Sequence, residues 1–309
     1  MILLCGIPSE APLAMVANRL DYLGVDYRCF NQRRAGQYAL AWEVVAGEVQ
    51  GELELGQEIL PLDDVVGVYT RLMDDRLLPE LAGEPDDSPV RQRCRHLHEG
   101  FSNWYEVAPA RVVNRSEPQG SNSSKPYQAQ LIGRHGFWLP ETLVTNDPDL
   151  VREFRRQHGE VIFKSMSGNR SIVRCLSDAD LDRLEHIRWC PVQFQAFVPG
   201  TNVRVHTVGA GQAFATEVQT DMTDYRYADR SGGEAVLRAA KLPDDVLDAC
   251  IRLAADLGLA FAGVDLKLTP DGRVFCFEVN PSPAYSYFEA NTGQPISLAV
   301  ARYLAGLAN

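Results

Sequence analysis

Three oxygen-bearing side chains, Asp265, Glu278 and Asn280, are spaced to converge on one cation. They lie in Gly263-Val-Asp265-Leu-Lys-Leu-Thr-Pro-Asp-Gly-Arg-Val-Phe-Cys-Phe-Glu278-Val-Asn280-Pro281. The Pro270-Asp271-Gly272 turn predicts an antiparallel hairpin. With Thr269 paired to Val274, Asp265 falls opposite Glu278, and Asn280 shares the face of Glu278. Opposed like charges repel across a strand pair. The surrounding Phe261, Val264, Phe275 and Phe277 add a desolvation cost. A hard divalent cation removes that conflict, and carboxylate and amide oxygens that leave room for phosphate suit magnesium. The same residues also read as the polar face of an ordinary hairpin, or as partners of Lys267. EF-hand spacing, a GxSxG elbow and a GxxxxGK[ST] loop are all absent from the sequence.

The elements that must carry these groups fall into three segments. Ile2–Ile7 reads as a strand, Pro12 to Leu23 as a helix ended by Gly24, and Asp26–Phe30 as a second strand, so the chain opens β-α-β. Glycines at 47, 51 and 56 break residues 41–60 into short hairpins, and Val65–Arg71 is a further strand. A helix is expected from Ser88 to Val107, with Pro89 at its first position. The polar stretch 114–124 reads as a linker. Beyond it, helices are expected over 126–135, 148–158 and 178–187, and strands over 139–144, 160–165 and 172–176. Strands at 192–198, 202–208 and 212–219 come next, then a charged loop near 220–235. A helix over 243–257, the hairpin strands 261–269 and 273–280, and a final helix after Pro295 complete the pattern. The predicted division is 1–118, 119–195 and 196–309.

Composition bounds the function classes. The chain has 309 residues, 45% hydrophobic and 23% charged, with a net charge of −11. Ordinary globular usage at this length gives room for two or three cores, and an acidic total disfavours nucleic acid as a partner. The sequence has no run of about 18 apolar residues to span a membrane, and the apolar start lacks a basic region and meets Pro8 early, unlike a signal peptide. Seven scattered cysteines without CxxC predict reduced, mostly buried thiols and a cytoplasmic location. His96 and His98, about 200° apart on a helix, do not share a metal. Trp104, Tyr105 and Trp138 read as core.

The segment Phe277-Glu278-Val279-Asn280-Pro281-Ser282-Pro283, followed by Glu289-Ala-Asn-Thr-Gly293-Gln-Pro-Ile-Ser297, resembles the metal-binding tail of the RimK-like ligases of the ATP-grasp superfamily. Weaker agreement runs in order along most of the chain. The resemblance implies an α/β and α+β fold, with a small N-terminal α/β lobe and two α+β lobes gripping ATP. It implies that Asp265, Glu278 and Asn280 hold one or two magnesium ions, with manganese an alternative. Lys125 and Lys164 match the lysines on the nucleotide phosphates, with Ser167 and Gly168 in the loop after Lys164. Gln195, Ala196, Phe197 and Val198 match the interlobe segment that receives adenine through its backbone, although locally they also read as a plain buried strand. Asn202 lies on the following strand with Arg204, which matches an arginine near the transferred phosphate and alternatively pairs with Glu217. Arg226 matches a second basic position. Two departures stand out: the loop after Lys164 keeps only Gly168, and Ala196 stands where relatives often carry an acid.

The activity implied is ATP-dependent activation of a carboxylate as an acyl phosphate, followed by attack of an amine or hydroxyl of an amino acid, peptide or protein. ATP and that substrate are the expected partners, and the resemblance allows a homo-oligomer. Tyr285, Tyr287 and Phe288 lie near the expected acceptor site. A non-catalytic ATP-binding regulator of the same fold and a small-molecule kinase are the rival readings.

Overall fold

Ile2, Leu3, Leu4 and Cys5 are fully buried, as a strand covered on both faces must be. The computed structural model describes residues 1–165, 173–219 and 236–308. It sets this strand, Ile2–Gly6, within a four-stranded parallel sheet in the order Tyr27–Asn31, Ile2–Gly6, Gly67–Thr70, Arg111–Val113. The crossover helix Ala11–Leu23 carries a proline in its first turn and stops at Gly24, whose φ of 65° is the left-handed conformation that glycine adopts without strain. The hairpins expected over 41–60 form one three-stranded antiparallel meander, Tyr38–Val45, Glu48–Leu55 and Glu58–Pro61. The helix Pro89–Val107 starts as expected, capped by the Ser88 side chain.

The expected linker at 114–124 is instead ordered structure. Arg115 donates to the carbonyls of Tyr105, Glu106, Ala108 and Ala110, closing the end of helix Pro89–Val107. Asn114 is 3% exposed; its amide nitrogen donates to the carbonyls of Phe261 and Pro281, both at 2.6 Å, and its oxygen accepts from the Phe261 N–H at 3.0 Å. Asn114 and Arg115, at the start of the polar stretch that suggested a linker, are engaged in buried and partly buried hydrogen bonds.

The next sheet is antiparallel, in the order Arg174–Cys175, Val161–Ser165, Val192–Ala196, Thr142–Thr145. A five-stranded antiparallel sheet follows, ordered Val236–Ala239, Gln212–Gln219, Thr201–Val208, Phe261–Leu268, Val274–Asn280. Two helices pack away from their sequence neighbours. Lys125–Gly133 lies against the strand Val274–Asn280, and Ile296–Ala305 lies against Ala11–Leu23. Ile296, Val300 and Leu304 thus share one core with Ile2, Leu4, Leu13 and Val16. Gly67 permits this, since a Cβ there would strike the Leu304 carbonyl. The short strands Arg111–Val113 and Val236–Ala239 and the helix Ser286–Thr292 had no counterpart among the sequence expectations.

Among the described residues, no helix is long and apolar enough to cross a membrane. The seven thiols are free; Cys5, Cys94, Cys250 and Cys276 are buried, whereas Cys175 and Cys190 are exposed. Trp104 and Tyr105 are core residues, but Trp138 is 54% exposed, tilted against Phe275 and under the Arg273 guanidinium, so the expectation of a buried Trp138 is corrected.

Candidate active site

Asp265 and Glu278 are register partners, but not for the expected reason. Thr269 does not pair with Val274: Leu268 does, which shifts the register by one. A β-bulge at Phe277 restores it, so that Asp265 meets Glu278, Val264 meets Val279 and Gly263 meets Asn280. Without the bulge Phe277 would oppose Asp265. With it, Phe277 and Glu278 both line one cleft.

Each carboxylate also has its own cation. Arg204 Nη1 lies 2.6 Å from Asp265 Oδ1, and Lys125 Nζ lies 3.0 Å from Glu278 Oε2. Arg204 therefore pairs with Asp265, its register neighbour on Phe261–Leu268, and not with Glu217, which faces Val203. The Arg204 side chain is 6% exposed, and Gly263 makes room for it, since a Cβ there would fall on the guanidinium. Like-charge repulsion is thus answered by two cations from neighbouring elements. Lys125 opens the helix Lys125–Gly133, which Gln128 fixes one turn on. The Gln128 amide donates to the Val279 carbonyl and accepts from the Val279 N–H, both at 2.9 Å, completing the edge of the strand Val274–Asn280. Asn280 Oδ1 accepts from the Ser282 N–H at 2.9 Å.

The cleft lies between the two antiparallel sheets. Ile162, Lys164 and Gln195 line it from one sheet, Phe197 and Val198 from the crossing segment, and Asn202, Val203, Asp265, Leu266, Lys267, Phe277 and Glu278 from the other. Gln195 is 7% exposed; its amide nitrogen donates to Thr142 Oγ1 at 2.9 Å, while its Oε1 has no hydrogen-bond partner among the described residues. A buried acceptor left unpaired in this way costs on the order of 1–3 kcal/mol unless a ligand donor meets it. The backbone is less open than expected. The Ala196 N–H donates to Glu141 and the Phe197 N–H to Glu160, both at 2.9 Å, and Ala196 does not line the cleft, because alternation turns it to the opposite face.

Lys267 was missed as a cleft residue. Its ammonium lies 5.2 Å from the Phe197 ring centroid, and burial holds its pKa below the ordinary lysine value. Its only sequence signal was its place two residues after Asp265. Ile162, Leu266 and Phe277, the apolar walls, looked like any core residues. Ser167, Gly168 and Arg226 lie outside the described residues. Tyr285, expected near the acceptor, is fully buried and donates to the Pro12 carbonyl at 2.6 Å; Tyr287 is 46% exposed.

The donor set fits magnesium. Two carboxylates and an amide oxygen are too few for a complete shell, and no group of three or more His, Cys, Asp or Glu side chains that could hold a metal occurs among the described residues. Magnesium keeps waters and takes phosphate oxygens, so a partial oxygen set beside an open cleft is what it requires.

The arrangement of a parallel α/β lobe and two antiparallel sheets around a cleft lined by Lys164, Asp265 and Glu278 is the ATP-grasp fold. The chain matches no protein-family model. It is 26% identical over 216 residues to a probable alpha-L-glutamate ligase of Shewanella denitrificans, covering 66% of this chain and 72% of that protein. The ATP-grasp ligase PsnB, solved with a phosphomimetic variant of its minimal precursor, magnesium and ADP, superposes with a TM-score of 0.80 at 26% identity, over 99% of this chain and 97% of that one. The macrocyclase MdnC of Microcystis aeruginosa, bound to its precursor peptide MdnA, superposes with a TM-score of 0.80 at 20% identity, over 99% and 100%. By its fold and its relatives the chain is an ATP-grasp ligase, and it is similar to the RimK-like glutamate ligases.

Proposed function

We propose that this ligase joins a peptide carboxylate to an amine or hydroxyl, with magnesium-ATP bound between Lys164 and the Asp265/Glu278 pair. The observation that carries this reading is the convergence of Lys164, Asp265 and Glu278 on the cleft that also presents the unpaired Gln195 oxygen. Relatives solved with precursor peptides support a peptide as the substrate.

Gln195 Oε1 would accept from the adenine amino group, with Phe197, Leu266 and Ile162 against the ring faces. Lys125, Lys164 and Arg204 would meet phosphate oxygens as fixed positive charges. Asp265, Glu278 and Asn280 would hold magnesium, or manganese in its place, which when bound neutralises charge on the transferring phosphate. A substrate carboxylate oxygen bonds to the γ-phosphorus as its bond to the ADP oxygen breaks. An amine or hydroxyl then bonds to the acyl carbon, and phosphate leaves with the electrons of the acyl–oxygen bond and the nucleophile's proton. The protein's part is to place groups and exclude water. The buried Leu266 and half-buried Phe277 beside the carboxylates lower the local dielectric and strengthen these charges. The free thiols agree with a reducing, cytoplasmic setting.

ADP release with candidate peptides, with and without hydroxylamine, tests the reading. Carboxylate-dependent hydroxamate is expected. A stable phosphorylated product that hydroxylamine does not intercept would mark a kinase, and tight ATP binding without turnover would mark a regulator.

A further inference from the structure

A second groove lies in the N-terminal lobe, apart from the nucleotide cleft. It has a volume of about 780 Å³, and residues 38–42 form one wall without interruption. Consecutive strand residues point to alternate faces, so all five can line one groove only along an open edge. Tyr38–Val45 is such an edge: among the described residues it pairs with Glu48–Leu55 alone. The opposite wall is a single stripe of the helix Pro89–Val107, formed by Pro89, Gln92, Arg93, His96, Leu97 and Gly100. Those positions recur at three- and four-residue intervals, which is one helix face. The walls match in length: five strand residues span about 13 Å and the helix stripe about 16 Å.

At Tyr38 the backbone is taken, its N–H by the Ala35 carbonyl and its carbonyl by Arg93, and the Trp42 indole N–H bonds the Gly100 carbonyl at 3.2 Å across the floor. Beyond Tyr38 an open strand edge beside a helix is the geometry of strand addition, in which an extended peptide bonds to the edge and its alternate side chains enter the groove. The groove chemistry selects the peptide. No carboxylate is found among the described lining residues, in a chain of net charge −11. Arg93 donates to the Tyr38 carbonyl at 3.0 Å and has no carboxylate partner among the described residues; His96 is exposed on the same stripe. Leu40, Trp42 and Leu97 supply the apolar floor.

We infer that this groove docks an extended, acidic segment of the peptide substrate as an added strand, remote from the reacting carboxylate. The occupant's identity as substrate rests on the peptide-ligase reading; the groove's preference for an extended acidic chain does not. Docking through a segment separate from the reacting one gives the reacting segment a high effective concentration at the cleft.

The probe is a fluorescein-labelled heptapeptide of alternating valine and glutamate, added to the full chain without nucleotide. Its anisotropy is compared with an alternating valine–lysine peptide and with the acidic peptide N-methylated at alternate amides. The acidic peptide is expected to bind, the other two at least about tenfold more weakly, and amides within residues 38–42 to gain protection from hydrogen exchange. Arg93→Glu should weaken binding by a similar factor. His96→Asp, at an exposed position, should do so with an unchanged thermal midpoint, which separates docking from folding. Equal binding of the lysine peptide, equal binding of the N-methylated peptide, or protection confined to other residues overturns the inference. Acidic-peptide binding at residues 38–42 without carboxylate-dependent ADP release sinks the ligase reading and leaves the groove assignment standing; turnover without such binding sinks the groove alone.

Discussion

The ion pairs at the site alter what substitution of its carboxylates should do. Were Asp265 and Glu278 simply repelling each other, neutralising either would stabilise the apo protein. Arg204 and Lys125 reverse that expectation. Asp265→Asn removes the carboxylate charge 2.6 Å from a nearly buried guanidinium, so we expect a loss of about 1–3 kcal/mol in denaturant unfolding. Turnover should fall by about 100-fold or more, because groups that neutralise transition-state charge are lost. A variant of unchanged or higher stability would show that the pair does not form in solution. Gln195 makes a separate prediction. Gln195→Leu removes an acceptor for the adenine amino group but leaves no buried group unpaired. The KM for ATP should rise by about tenfold, and discrimination against GTP, whose base presents a carbonyl at that edge, should shrink. Unchanged selectivity in a competition assay would move base reading to the backbone, where the Val198 N–H is the next donor along.

At the scale of elements, the outer edge of the strand Val274–Asn280 is held among the described residues by a backbone bridge from Trp138 at one end and by the Gln128 side chain at the other. Gln128 forms both of its bonds to Val279 from inside the helix Lys125–Gly133 and is 1% exposed. This amide fixes the helix that delivers Lys125 to Glu278. Gln128→Leu is nearly isosteric, but it leaves a buried N–H and C=O unpaired. The expected cost is about 2–4 kcal/mol in chemical denaturation, with a fall in kcat exceeding any change in KM, since Lys125 is displaced and the base pocket is not. Equal effects on both constants would mean that the helix serves binding only. The bulge at Phe277 belongs to the same scale: one extra residue decides whether a phenyl ring or a carboxylate faces Asp265.

At the scale of the whole molecule, His206 lies where the five-stranded sheet meets the core shared with the first lobe. It is 0% exposed, T-shaped against Phe288 at 4.9 Å and stacked with Phe261 at 6.2 Å, and neither ring nitrogen has a hydrogen-bond partner among the described residues. Burial, reinforced by the Arg204 charge, holds its pKa well below the ordinary 6.5. As pH falls through 6.5 the unfolded imidazole takes up a proton that the folded one refuses, so the unfolded state gains. His206 therefore contributes stability above that pH that is lost below it, by up to about 1.4 kcal/mol per pH unit. Thermal midpoints between pH 8 and pH 5 should fall more steeply for the native chain than for His206→Leu; parallel curves would place the acid sensitivity elsewhere.

The tail from Phe277 to Pro283, the Pro-Asp-Gly turn and the order of the strands were legible in the sequence, because turn chemistry and alternation act between residues close in the chain. Even the Asp265/Glu278 pairing could be read, although through a register that the bulge corrects. The family resemblance implied that Lys125 and Arg204 meet phosphate oxygens but did not show that they bond the two carboxylates. Gln128, the free oxygen of Gln195, the buried His206 and the ordered stretch after Asn114 were hidden for a common reason. Each depends on an element distant in sequence, and local periodicity carries no information about which remote backbone group or charge a side chain will meet once the sheets are stacked.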